Sequence, residues 1–291
     1  MKKKPSEIVA SVILHIIMVF LGLVTLYPFW HVIMYSISDP VKAMGGGIFL
    51  WPKGLSTIGF DILFKTNQVY VAYGNSIFLL TVGTSINVIF TALLAYPLSV
   101  HRFKGRSAIT MMVFFTMLFS GGMIPSYLLV DSLGLLDSLW ALILPGTISA
   151  WNMLIMKNYF QSIPPSLEES ASLDGATPLI ILIRIIVPVS MPVVATVALM
   201  YGVVHWNSYF NAVLYIYAQS KMTLPIYLRM LLSSTAMDQA TQSGVSFDSA
   251  AITPETMKMA TIVASVLPIL IIYPFIQKYF VKGVMVGSIK G

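Results

Sequence analysis

The chain contains no cysteine in 291 residues. Disulfides, thiolate metal sites and thiol nucleophiles are therefore excluded. Charge is nearly as scarce: Asp, Glu, Lys and Arg make up 10% of the residues, against 57% hydrophobic. The few ionisable groups also avoid the long apolar runs. None falls in the middle of one, where proton- and voltage-driven membrane machines generally keep them. No GxxxxGK[ST] phosphate cradle and no HExxH metal site occurs, and the four histidines are scattered. Serine is plentiful, but there is no GxSxG nucleophile elbow. No internal repeat is convincing, so an inverted-repeat transporter gains no support.

What is present is apolar length. Mean hydropathy is +0.85, and a bilayer core demands about 20 apolar residues of a spanning helix. Six charge-free runs meet or approach that length, at 8–38, 69–100, 107–130, 138–156, 185–220 and 259–277. The first is too long for a signal-peptide core and no small-residue cleavage site follows it, so it reads as a retained first span. With the N-terminus inside, 11 of the 17 lysines and arginines fall on inner segments, and "HRFKGR" at 101–106 is the densest short loop. The positive-inside rule then puts both termini in the cytoplasm. The net charge of +6 is this asymmetry, and it gives no reason to invoke nucleic acid. An all-α integral membrane protein with six spans is the expected fold class. It lacks a visible energy source, so active transport would draw on another subunit gripping the cytoplasmic face.

Local punctuation adds detail. The outer loop at 39–68 holds "GGG" and "WPKG", with Trp51 placed to anchor an interfacial helix. Gly121, Gly122 and Pro125 suit an unwound helix end or close helix contact. Pro188 and Pro192 should bend the fifth span. His205 reads as an interfacial polar residue. In "HWNSYFNAVLYIY", Trp206, Asn207, Tyr209 and Asn211 offer the aromatic faces and amides that sugars favour, or else they anchor the span at the interface. "TLPIYLRMLL" is apolar enough to lie along the membrane surface, and the polar stretch 234–256 reads as loop.

One cytoplasmic stretch stands apart. "SLEESASLDGATPLI" at 166–180 carries Glu168, Glu169 and Asp174 between two apolar runs. Ser166 with Glu169 predicts a capping box at a helix start. Gly175 is suited to a left-handed corner, and Thr177–Pro178 to opening a second helix. Small residues at Ser170, Ala171 and Ser172 let the first helix sit deep in a groove. An acidic face beside an anionic leaflet favours a protein socket over lipid head groups.

"EESASLDGATPLIILIRIIVP" resembles the EAA loop of bacterial ABC-importer permeases. Glu169, Ala171, Asp174, Gly175, Ala176, Ile185 and Pro188 match that pattern in register, with mild departures at Ser170, Leu182 and Val187. "FSGGMIPSYLLVDSLGLLDSLWALILPG", "HWNSYF" and the terminal "VKGVMVGSIKG" are similar to carbohydrate-type permeases related to the maltose importer's smaller permease, closest to the subgroup for complex-polysaccharide uptake. Ser208 stands where an acidic residue usually follows "WN".

The resemblance implies a type I ABC importer permease fold in the bacterial cytoplasmic membrane. It divides the chain into an N-terminal span and outer loop (1–71), a transmembrane core (72–278) with the EAA loop at 164–188, and a cytoplasmic tail (279–291). It implies a coupling helix docked on a cytoplasmic ATPase through Glu168, Glu169, Ala171, Asp174, Gly175 and Ala176. It further implies a second homologous permease and an extracytoplasmic solute-binding protein. ATP and magnesium would be bound by the ATPase, with no cofactor in this chain and no catalysis by it. The competing reading is a gradient-driven transporter acting alone; a purely structural membrane scaffold is a third.

Overall fold

A computed structural model describes residues 5–232, 253 and 255–271. Every element among them is helical, apart from one isolated antiparallel bridge between Ser38 and Leu55. The polar stretch 233–252, the end of the sixth apolar run and the tail with its "VKGVMVGSIKG" motif lie outside the described residues. The chain forms two compact units, 1–67 with 228–269, and 68–227 with 270–291.

The first unit is built on Pro5–Ser36. Its stretch Ser11–Ser36 is 26 residues long with a hydropathy of 2.3, about 39 Å of helix against a hydrocarbon core of about 30 Å. Val12, Ile16, Phe20, Leu23 and Phe29 are all exposed within the chain. Among the described residues, its packing lies in its last turns: Met34 and Tyr35 join Ala43 and Phe49 in a small core. Trp51 does not sit on a helix. It lies exposed in a bend, and the helix of this loop comes later, at Ile58–Lys65. Gly59 in that helix lets the helix 255–271 approach: a Cβ there would stand 3.2 Å from Ala260 and Thr256.

The second unit holds the rest of the described fold. Its longest helix, Asn67–Ser99, begins at the unit boundary and is continuous over 33 residues, with a π turn at Leu79–Gly83. It packs against Ala150–Gln161 and Met191–Trp206. Their shared core includes Ala95, Leu98, Met153, Met156, Val197 and Tyr201.

Two further apolar runs are bent. Arg106–Leu118 and Met123–Ser132 meet at 114°, with Gly122 at φ +87 in the break. Pro178–Val189 and Met191–Trp206 meet at 88°, where Pro188 and Pro192 flank Ser190. The fourth run is the surprise. It does not form one span-length helix: a 3-10 turn at Leu139–Leu142 is followed by Pro145 and Gly146, and the helix Ala150–Gln161 begins only afterwards. Among the described residues, two helices are long and apolar enough to cross a membrane, or four if each bent pair is one span.

Candidate functional site

Three features of the second unit are candidates: a hairpin, a cavity and a carboxylate clasp. The hairpin's first helix is Pro165–Leu173. It begins earlier than the sequence suggests. Pro164 is the N-cap and Pro165 the first helical residue, so Ser166 lies inside the helix and no side-chain cap forms. Proline's fixed φ has replaced the expected Ser166–Glu169 capping box.

The helix end follows expectation closely. Gly175 has φ +82; its N–H donates to the Ser172 carbonyl at 3.1 Å, and the Ala176 N–H to the Ala171 carbonyl at 3.0 Å. That pair of bonds is a Schellman corner. Thr177, extended at ψ 156, and Pro178 then start the second helix.

The corner sorts the hairpin's side chains. Ala171 is buried in the core and Ala176 packs against it. Glu169, Leu173, Asp174 and Gly175 are exposed, Leu173 at 89%. Glu168 differs from the other acids. Its Oε1 accepts a hydrogen bond from Arg102 Nη2 at 2.8 Å, and its side chain is only 18% exposed. Nothing in the sequence pattern pairs these two residues, which are 66 positions apart.

The cavity has a volume of about 920 Å³. Asn87 enters it from the long helix, Asn152 and Trp151 from Ala150–Gln161, and Tyr201 and His205 from Met191–Trp206. Asn87, Asn152, Tyr201 and His205 are all buried. Tyr201 ties two walls together: its hydroxyl hydrogen-bonds Thr91 Oγ1 at 2.7 Å and accepts from the Ser149 N–H at 2.8 Å. Asn87 Nδ2 donates to the Gly146 carbonyl at 3.2 Å, while its Oδ1 has no protein partner. None of the lining residues is Asp, Glu, Lys or Arg.

Of the four pathway candidates from the sequence, Asn211 lines the cavity and Trp206, Asn207 and Tyr209 do not. Trp206 is buried, and Asn207 Nδ2 donates to the Val203 carbonyl of its own helix. Sequence reading missed Asn87, Asn152 and Tyr201 and set His205 aside. Their trace was there as i, i+4 pairs in apolar helices, Asn87 with Thr91 and Tyr201 with His205.

The clasp centres on Asp137, which is outside the apolar runs and has φ +51. Its Oδ1 accepts from the N–H groups of Tyr217 and Ala218 at 2.9 and 2.8 Å, and Oδ2 pairs with Lys221 at 3.1 Å. The Ala218 and Tyr217 amides, then Lys221, lower its carboxyl pKa to about 2. The same connection is sewn to the long helix. Asn75 Nδ2 donates to the Ser220 and Met222 carbonyls, and Ser76 Oγ accepts from the buried Leu224 N–H at 2.8 Å.

Residues 79–286 match the model of the binding-protein-dependent transport system inner membrane component family. The polygalacturonan/rhamnogalacturonan transport system permease protein YtcP of Bacillus subtilis is 42% identical, over 93% of this chain and 94% of its own. The arabinooligosaccharides transport system permease protein AraQ of Halalkalibacterium halodurans is 28% identical over the full length of both chains. A crystal structure of a bacterial ABC transporter involved in the import of the acidic polysaccharide alginate contains a chain that superimposes with a TM-score of 0.89. It is 31% identical, covering 96% of this chain and 99% of that one.

Proposed function

The chain belongs to the family of binding-protein-dependent transport system inner membrane components, and we propose that it is one permease of an ATP-driven importer of oligosaccharides or polysaccharide fragments. The hairpin carries this reading. A short helix fixed by a Schellman corner presents Glu169, Leu173, Asp174 and Gly175 to solvent, and exposed acidic and apolar groups on a rigid corner suit a protein socket. Glu169, Ala171, Asp174, Gly175 and Ala176 form or support the surface on which a cytoplasmic ATPase docks. ATP and magnesium belong to that subunit.

The cavity suits the passenger. Its aromatic walls match the apolar faces of sugar rings, and its amides and hydroxyls match sugar hydroxyls. The relatives' names, polygalacturonan/rhamnogalacturonan and arabinooligosaccharides, support a saccharide cargo. Among the described residues that line the cavity, none is Asp, Glu, Lys or Arg, a lining that suits a neutral saccharide surface. A second homologous permease completes the pathway, and an extracytoplasmic binding protein delivers the cargo. Both termini are cytoplasmic and the six apolar runs cross the bacterial cytoplasmic membrane, three of them broken or bent.

Co-purification and reconstitution test this. The chain should bring down an ATPase and a second permease. Liposomes holding the whole complex should import labelled galacturonan fragments or arabino-oligosaccharides only with binding protein outside and ATP inside. Uptake by this chain alone without ATP would overturn the proposal in favour of a gradient-driven transporter.

A further inference from the structure

Glu168 and Glu169 are neighbours in sequence that point about 100° apart on a helix. Glu169 is exposed and forms no ion pair among the described residues, whereas Glu168 turns inward to Arg102. Glu168 links helix Pro165–Leu173 to other residues, bonding Arg102 and interacting with Tyr96. The bond from Ser172 Oγ to the Glu168 carbonyl stays within the helix. Beyond its chain ends, the helix has little else to hold it. Ala171 is its buried residue, and Leu167 and Leu173 are both exposed.

Arg102 lies in the tight turn that directly follows helix Asn67–Ser99. There the Val100 N–H donates to the Pro97 carbonyl and the Phe103 N–H to the Val100 carbonyl. The pair therefore joins the hairpin helix to the end of the longest helix of its unit. Glu168 also lies close enough to Tyr96, in the last turns of that helix, to interact with it.

We propose that the Arg102–Glu168 pair is a latch that fixes the docking helix to the end of helix Asn67–Ser99, making Arg102 a positioning residue for energy coupling. The inference rests on the hairpin being the ATPase-docking element. It divides labour between the two adjacent acids: Glu168 works inside the chain and Glu169 remains available to the ATPase. The chain holds the helix at both ends, through residues 162–164 to helix Ala150–Gln161 and through the Gly175 corner, and Ala171 is buried. Held also at Glu168, it cannot roll about the line between those ends, and a push on it reaches a third element. Two routes are covalent, into Ala150–Gln161 and through the corner into Pro178–Val189. The third passes through the ion pair into Asn67–Ser99. A pair whose Arg102 end lies in solvent biases such an equilibrium modestly, by about two- to fivefold.

The absence of native cysteine permits a direct test. Spin labels at Lys104→Cys and Ser166→Cys, both exposed positions, report the distance between turn and helix in the assembled importer. The unmodified pair should give a narrow distribution. Arg102→Gln should broaden it and raise the ATP consumed per oligosaccharide imported by about two- to fivefold, with the ATPase still co-purifying. Arg102→Glu should be worse, and Arg102→Glu with Glu168→Arg should recover both readouts. An unchanged distribution and ratio in Arg102→Gln would overturn the latch, as would a double variant no better than Arg102→Glu. Failure of the ATPase to co-purify with the unmodified chain would instead overturn the docking reading, and the latch with it.

Discussion

Three residues show how differently a position can be constrained. Gly175 has φ +82, and a Cβ there would meet nothing within 4 Å. Its constraint is purely one of backbone conformation, about 1–2 kcal/mol for an ordinary residue. Gly175→Asn, which tolerates positive φ, should keep more binding-protein-stimulated ATPase coupling than Gly175→Val in the assembled complex. Gly83 is the opposite case. A Cβ there would stand 2.7 Å from His205 Nε2, so Gly83→Ala should lower thermal stability by about 1–3 kcal/mol. Combined with His205→Ala, it should cost less than the two changes summed. Asp137 is constrained by charge. Its pKa is lowered from 3.8 to about 2 in the folded chain, so its contribution is complete above about pH 4 and is lost as pH falls towards 2. The stability gap between the unmodified chain and Asp137→Asn should close across that window in thermal unfolding scans. Of these three, Gly175 was legible in the sequence because its corner is local. Gly83 and Asp137 were not, since each answers to a residue more than 75 positions away.

At the scale of elements, composition located the apolar runs and proline located one break. The 88° bend at Ser190 sits between Pro188 and Pro192, as those residues dictate. The π turns at Leu79–Gly83 and Leu182–Ile186 have no such marker, because an apolar segment reads alike in α and π geometry. The fourth run misled for a related reason: hydropathy counts apolar residues whether or not they continue a helix, and Pro145–Gly146 interrupts this one. The expected capping box failed because two prolines had already set the helix start. Where the connection 216–224 meets the long helix, the bonds are specific enough to test. Ser76→Ala would strand the buried Leu224 N–H, at a cost of about 1–3 kcal/mol. Hydrogen exchange at Leu224 should quicken accordingly, with the exchange of helix Ala150–Gln161 little changed.

For the whole molecule, the sequence conveyed an apolar, helical membrane body of the permease family. It could not convey the cavity, whose walls come from segments spread between residues 87 and 215. The proposed topology makes a simple prediction. Single cysteines at Lys104 and Lys53 in the otherwise cysteine-free chain should react with an impermeant maleimide from opposite faces of sealed vesicles. Labelling of both from one face would refute the proposed orientation. The near-total exposure of Ser11–Ser36 has a consequence for how the chain is made. Among the described residues this helix leans on others only at its last turns, so it can be released sideways into lipid as soon as it is synthesised. It can wait there while the residues that form the second unit are still being translated. The broken and bent segments have no such freedom, since their interrupted backbone must find partners in protein. Biogenesis would then proceed from a self-sufficient anchor to mutually dependent pieces, with the translocation body closing last.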